Sequence, residues 1–469
     1  MEEKRDSIYD LAEFMHETSY EDIPACAIEE AKKLFLDIVA TSTAGSTADA
    51  IPQLRSFVLD AAGKEEARIL VYGERVPAGA AALVNTVMSH ARDWDDTLEA
   101  AICHITVSAI NACMVAAQMV PRRITGKEFL RAIVLTVDVF ARMASASTWS
   151  VIESNFVFTS LFAYFASAMG SSLLYGHDVD GIVNSAGIAL SQASGTHQSV
   201  FDSVLTKRTQ PGWGTRAGVE AAKLTELGLS GCRNVLDGQA GLYGMFVRGN
   251  YRRDVITADL GERFYINELS YKPYPCCRHT HSAIDAAKEI VKRYGVLPEE
   301  VTGILVETTS QGIGNVCEPR DIRVAPKSVV NGQFSIPWTV ASMIVNGFVD
   351  FSTFEEPNRS NPLVLDLAGK TTWRVAEDIE EKYGIGIARV RLTVQTVRGD
   401  FTEYVESPLG ATDNPMTLDD ILGKLEIAKK YSARPVREGG FERLVACVDH
   451  LEELDDVEEL FDVLFDSFE

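Results

Sequence analysis

Ile385-Gly386-Ile387-Ala388-Arg389-Val390-Arg391-Leu392-Thr393-Val394-Gln395-Thr396-Val397 is the stretch on which the fold of this 469-residue chain turns. Ala388, Val390, Leu392 and Val394 alternate with Arg389, Arg391, Thr393 and Gln395. A period of two sends successive side chains to opposite faces of a strand, so the spacing predicts a strand over 385–397 with one apolar face. Phe401–Glu406 is expected to pair with it across a turn at Arg398-Gly399-Asp400. Upstream, Val301–Thr308 reads as another short strand, and His281–Tyr294 and Ser335–Asn346 carry helical spacing. Together these predict an α+β module.

Outside the module the chain reads as helix after helix. Pro24 follows Asp22, a helix-entry signal, and Cys26–Ala44 keeps apolar residues at helical spacing until Gly45. Ala80–Ala91, Lys127–Ala146 and Arg216–Leu227 are similar. Thr417-Leu418-Asp419-Asp420 resembles a capping box, and Phe441–Phe468 is expected to be helical. Segments 100–121, 154–177 and 181–201 lack Asp, Glu, Lys and Arg. Each is long enough to span a bilayer, but they hold polar residues such as His104, Asn111, Asn184 and His197 among many small ones. Buried core helices are the expectation. The fold class is therefore mainly α with an α+β insert, divided as 1–266 helical, 267–405 α+β and 406–469 helical.

With 46% hydrophobic and 24% charged residues, the composition is that of a globular protein able to bury a large core. There are 44 Lys+Arg against 67 Asp+Glu, a formal net charge of −23. That balance disfavours nucleic acid and anionic membrane surfaces as partners. Much of the excess lies in the basic-free tail from Asp449 to Glu469. The opening Met1-Glu2-Glu3-Lys4-Arg5-Asp6 has no apolar core behind it, so no secretory signal is expected. Eight cysteines without C-x-x-C spacing suggest reduced thiols and a cytoplasmic setting.

Three segments can carry chemistry. Asp93-Trp94-Asp95-Asp96-Thr97 concentrates three carboxylates, with His104 downstream. It reads either as a solvated helix end or as an acidic cluster orienting a catalytic His or Lys, because unpaired buried carboxylates raise one another's pKa values. Lys272-Pro273-Tyr274-Pro275-Cys276-Cys277-Arg278-His279-Thr280-His281 is stiffened by two prolines, either of which could follow a cis bond. Such rigidity suits Arg278 to carboxylate binding and Lys272 to a point charge or proton donor. A plain domain junction is the bland alternative. A zinc site from Cys276, Cys277, His279 and His281 fits no common spacing. Thr206-Lys207-Arg208-Thr209-Gln210-Pro211-Gly212-Trp213-Gly214 reads as a basic loop opening a helix at Thr215, either an anion site or a solvated loop. It lacks the Walker pattern, and neither G-x-G-x-x-G after a strand nor G-x-S-x-G occurs.

Together these segments resemble the MmgE/PrpD family over most of the chain. Asn85…His90…Asp93-Trp94-Asp95-Asp96-Thr97 is similar to its N-x-x-x-x-H-x-x-D-[FW]-D-D-T motif, and Lys272–His281 to its K-x-Y-P-x-C-R-x-T-H. Gln333-Phe334-Ser335 resembles a later helix start. The resemblance implies a helical domain with an α+β lid, an active site between domains, a homodimer, and no metal or cofactor. It implies site residues Asp93, Thr97, His104, Lys207 and Lys272, with Cys277 and Arg278 nearby.

The chain also departs from the family. Val157-Phe158-Thr159-Ser160 stands where a His-Pro-Thr-Gly motif is usual, and Thr209-Gln210 where Leu-His is usual. These departures put the substrate in doubt.

The chemistry implied begins next to a carboxylate-stabilised carbon. Lys207, Lys272 and Arg278 would hold the carboxylates of a small substrate, and His104 would serve as general acid or base, oriented by Asp93 or Asp96. Thr97 would place a substrate oxygen, with Cys277 among the substrate-binding residues and Lys272, His104 and Asp93 the catalytic ones. Dehydration or decarboxylation by a lyase is the first expectation, epimerisation the second, and a binding protein without catalysis the third. The cationic residues are expected to form a local site of sign opposite to the net charge.

Overall fold

The computed structural model describes residues 5–202, 204–384, 386–387 and 389–469. Ile385 and Ala388 of the expected strand, and Met1–Lys4 of the chain's opening, lie outside the described residues. The chain forms two compact units: Met1–Ala91 with Ala101–Leu269 and Thr417–Glu469, and Arg92–Ala100 with Ser270–Met416. The architecture is mainly helical with a smaller α+β part, as the spacing predicts.

The first unit is helical, apart from a short antiparallel pair at Ala67–Arg68 and Arg75–Val76. Its centre is the Ala163–Tyr175 helix, which packs against Thr106–Met119, Gly126–Ser145, Val179–Leu190 and Thr206–Glu226. The charge-free stretches supply three of these helices. They are buried nearly throughout, and small residues let them approach closely. No helix among the described residues is long and apolar enough to cross a membrane.

The C-terminal return docks the Leu418–Lys429 helix on Ala25–Gly45, where Lys424 Nζ meets the fully buried Asp37 at 2.5 Å. Thr417 caps that helix, accepting from the Asp420 N–H, as expected. Phe441–Phe468, expected as one helix, is broken into Gly440–Asp449 and Glu458–Asp466 with a 3-10 turn between. The break occurs where Leu454 O and Val457 N are taken by Gly126 N and Ile124 O, at 2.9 and 2.8 Å.

The segment read as a basic loop is helix. Thr206–Glu226 is continuous, with Pro211 inside it. Gly212, Gly214 and Gly218 are not turn residues but contact points. A Cβ on Gly212 would lie 2.6 Å from Val87 Cγ2, on Gly214 2.9 Å from Ala163 Cβ, and on Gly218 2.6 Å from Ala168 N. Gly218→Ala is therefore expected to destabilise the protein by about 1–3 kcal/mol, because a backbone neighbour cannot move aside. Gly423→Ala, in a helix with nothing within 4 Å of the added carbon, should instead stabilise by up to ~1 kcal/mol through helix propensity. Urea unfolding of the two variants checks the opposite signs.

The second unit holds a four-stranded sheet: β1 (Val301–Thr308), β2 (Thr371–Val375), β3 (Val390–Thr396) and β4 (Gly399–Val405), ordered β2-β1-β3-β4. β1 and β2 are parallel, with Ile304 opposite Thr371, while β1–β3 and β3–β4 are antiparallel. Val390, Leu392 and Val394 face the core, as the alternation requires, with Ile304, Val306 and the His281–Tyr294 and Ile336–Asn346 helices. β3 pairs with β4 from Thr396 opposite Gly399, so the turn sits at Val397-Arg398, one residue before its expected place. Arg389, expected on the polar face, is buried. Its partner explains why.

Candidate active site

The expected site residues fall into two groups, one within each unit. In the α+β unit, two segments far apart in sequence are zipped together. Thr97 N donates to Ser270 O at 2.8 Å, and Ser270 N to Thr97 O at 2.9 Å. Trp94 Nε1 donates to Pro273 O at 3.4 Å and its ring meets Phe351 edge-on. Gln333 Nε2 donates to both Arg92 O and Pro275 O, and Gln333 O accepts from Cys277 N at 2.9 Å.

This scaffold places Lys272 against Asp93. Asp93 takes φ 55°, in the left-handed region that Asp tolerates better than most residues. Lys272 Nζ donates to its carboxylate at 2.9 Å and to its carbonyl at 3.1 Å. Lys272 is 0% exposed, and Asp93, Asp95, Asp96 and Thr97 are 4%, 0%, 0% and 2% exposed. The acidic cluster is thus no solvated helix end, and the next helix starts only at Thr106. Burial works against the Lys272 ammonium, but the carboxylates of Asp93 and Asp95 outweigh it and raise its pKa above the ordinary lysine value. Thr97 Oγ1 is buried and makes no hydrogen bond.

Glu99 organises the rest of the group. Its Oε1 accepts from Ser270 Oγ and Arg278 Nε, and its Oε2 from Arg389 Nη1, each at 2.8 Å. Burial pushes the Glu99 carboxyl up, and the two guanidiniums more than reverse that, holding it below the usual range. Arg278 Nη1 donates to His281 Nδ1 at 3.1 Å and to Leu409 O at 2.9 Å, while Nη2 is buried without a partner.

His281 therefore carries its proton on Nε2, which donates to Cys276 O at 3.2 Å. Burial and Arg278 push its pKa well down. Burial likewise takes His279 to about 4. Cys276 Sγ and Thr280 Oγ1 lie 3.0 Å apart, and burial raises the thiol pKa. The local structure thus uses Cys276 and His281 to hold the turn. Pro273 and Pro275 follow trans bonds; the cis bonds among the described residues precede Pro319 and Pro357.

In the helical unit, Lys207 lies in the first turn of Thr206–Glu226, and His90 ends the Ala78–His90 helix. Lys207 Nζ donates to His90 Nε2 at 2.9 Å. The His90 and His104 rings meet edge-on with centroids 4.7 Å apart. His104 N donates to Thr159 Oγ1 at 2.9 Å, just before the Thr106–Met119 helix. The structure thus brings Lys207 and His104 together around His90, whose part the spacing of charged residues alone does not reveal.

The two departures also have places here. Val157 is buried and precedes the short helix Phe158–Leu161, its N–H donating to Gly195 O at 2.7 Å. Gln210 Nε2 donates to Thr196 O at 3.0 Å and Ser199 Oγ at 3.1 Å.

Sequence reasoning missed Glu99, Arg389 and His197. Glu99 lies two residues beyond the acidic motif, and a lone carboxylate just before a charge-free stretch was the available signal.

Known proteins share this arrangement of sequence. The N-terminal domain of the MmgE/PrpD family matches residues 9–254, and its C-terminal domain residues 274–450. Cis-aconitate decarboxylase of Aspergillus terreus is 26% identical over 465 residues, covering 94% of this chain and 92% of the relative. A cis-aconitate decarboxylase-like protein of Aspergillus oryzae is 26% identical over 474 residues, covering 96% and 95%. Cis-aconitate decarboxylase of Homo sapiens is 24% identical over 442 residues, covering 92% and 88%. With both domains matched in order across most of its length, the chain belongs to the MmgE/PrpD family.

Proposed function

We propose that the protein is a lyase acting on a small di- or tricarboxylate, with decarboxylation as its reaction and cis-aconitate as the first candidate substrate. The relatives from Aspergillus terreus and Homo sapiens are cis-aconitate decarboxylases, which supports the class. The observation that carries the reading is Lys272, fully buried with its Nζ 2.9 Å from the Asp93 carboxylate, which together with Asp95 favours the charged form. A desolvated fixed cation stabilises charge developing on a substrate far better than one in water.

In the proposed mechanism Lys272 binds a substrate carboxylate, and Thr97 Oγ1, buried with no partner, donates to a substrate oxygen. Lys207 and His104 are proposed as the carboxylate-binding and acid–base groups of the helical unit. The C–C bond to one carboxylate breaks and carbon dioxide leaves. The electron pair passes into the adjoining conjugated carboxylate as an enolate, which the lysine charge stabilises. A general acid then delivers a proton to carbon, and Asp93 fixes the Lys272 ammonium. Arg278, tied to Glu99, supports the Cys277 segment and keeps Nη2 for a carboxylate oxygen. The proposal includes a homodimer that needs no cofactor, on the family resemblance alone.

Proton NMR in deuterium oxide with cis-aconitate, citrate and related dicarboxylates tests it. A new vinyl signal with release of carbon dioxide is the expected result. Deuterium uptake without a new product would replace the lyase with an epimerase. Saturable binding with no turnover would leave a binding protein.

A further inference from the structure

One buried histidine beside the Lys207 group has no part in the mechanism above. His197 is 6% exposed, and its Nδ1 is buried without a hydrogen-bond partner. The segment carrying it is firmly held. His197 N donates to Asn155 O at 2.8 Å, and Val200 N to His197 O at 2.9 Å. Gln210, one helical turn after Lys207, clamps the same segment on either side of His197, through Thr196 O and Ser199 Oγ. The ring packs edge-on against Phe201 with centroids 4.7 Å apart. The Lys207 charge is near enough to act on the ring: burial first, and Lys207 second, push the His197 pKa down to about 4.

A histidine serving only as packing would bury its nitrogens against partners, because a buried polar atom left unmade costs stability. His197 instead keeps a bare nitrogen at a fixed position, where burial first and the Lys207 charge second disfavour its protonation. Such a group offers a directional hydrogen bond with no net charge.

We propose that His197 is a substrate-binding residue: held by the Gln210 clamp one helical turn from Lys207, its imidazole donates from Nδ1–H to a carboxylate oxygen of the bound substrate. Lys207 supplies attraction to the carboxylate and His197 supplies direction. The inference rests on the carboxylate reading of the site.

The chain has eight histidines, few enough to follow individually after labelling at Cε1. Titration of the full chain with citrate, and separately with cis-aconitate, should move the His104 and His197 signals together and leave the exposed His450 unmoved. Movement of His104 alone overturns the inference and leaves the carboxylate reading standing. If neither moves with either acid, the carboxylate reading itself fails, and the inference with it. Calorimetry supplies the second arm. His197→Phe keeps a ring against Phe201 and should weaken citrate binding about tenfold or more. His197→Asn places an amide near Nδ1 and should stay within about threefold of the parent. Equal losses in the two variants would overturn the hydrogen-bonding role.

Discussion

Replacing Lys272 with methionine is expected to remove turnover almost entirely and to cost about 3–5 kcal/mol of stability, the usual consequence of leaving one member of a buried ion pair behind. Asp93 would then lose the Nζ that donates to its carbonyl and its carboxylate, inside a segment where Asp95 and Asp96 are also buried. Adding Asp93→Asn should return most of the stability, since one buried carboxylate charge is then removed along with the ammonium. It should not return activity, which is expected to stay about 10²–10³-fold down or lower, because the desolvated cation is what the reaction uses. Denaturant unfolding and turnover on the substrate separate the two effects. Full turnover in Lys272→Met would remove this residue from the mechanism, and a double variant no more stable than the single one would refute the charge argument.

Glu99 is expected to be nearly as sensitive, for stability rather than chemistry. Glu99→Gln leaves Arg278 and Arg389 buried as two like charges with no anion between them, and about 3–5 kcal/mol should be lost. Arg389→Gln should cost clearly less, because the Arg278–Glu99 pair survives it. The sign of the pH effect follows from the depressed carboxyl. The Glu99 contribution is complete above the unfolded value of about 4.3 and disappears as pH falls through the lower folded value. Thermal unfolding between pH 7 and pH 3 should therefore show a steeper decline for the parent than for Glu99→Gln. Parallel curves would mean that Glu99 carries no such linkage.

What could be read in advance was whatever a short window of sequence contains. The alternation of Val390, Leu392 and Val394 marks β3 without reference to any partner. β2, with Thr371 its only buried residue, shows no alternation to read. Pro211, Gly212 and Gly214 look like a loop because these residues usually break helices. Here Gly212 and Gly214 lie where neighbouring helices approach closely. The acidic motif and Lys272 stood out by density of charge and proline. Glu99 and Arg389 did not, because each is ordinary by itself and their meeting spans 290 residues of chain. His197 was visible only as a polar residue in a charge-free stretch, and its bare nitrogen is a property of packing.

The stitching of Arg92–Ala100 into the α+β unit also dictates a schedule. Lys272 and Asp93 are separated by 179 residues. At typical synthesis rates of ~5–20 residues per second, the acidic segment leaves the ribosome roughly 10–35 s before its lysine exists. Residues 270–416 expressed alone would enclose Lys272, Arg278 and Arg389 without the anions that neutralise them. A gene fragment cut at the family's domain boundary would therefore discard nine residues on which the electroneutrality of the second unit depends.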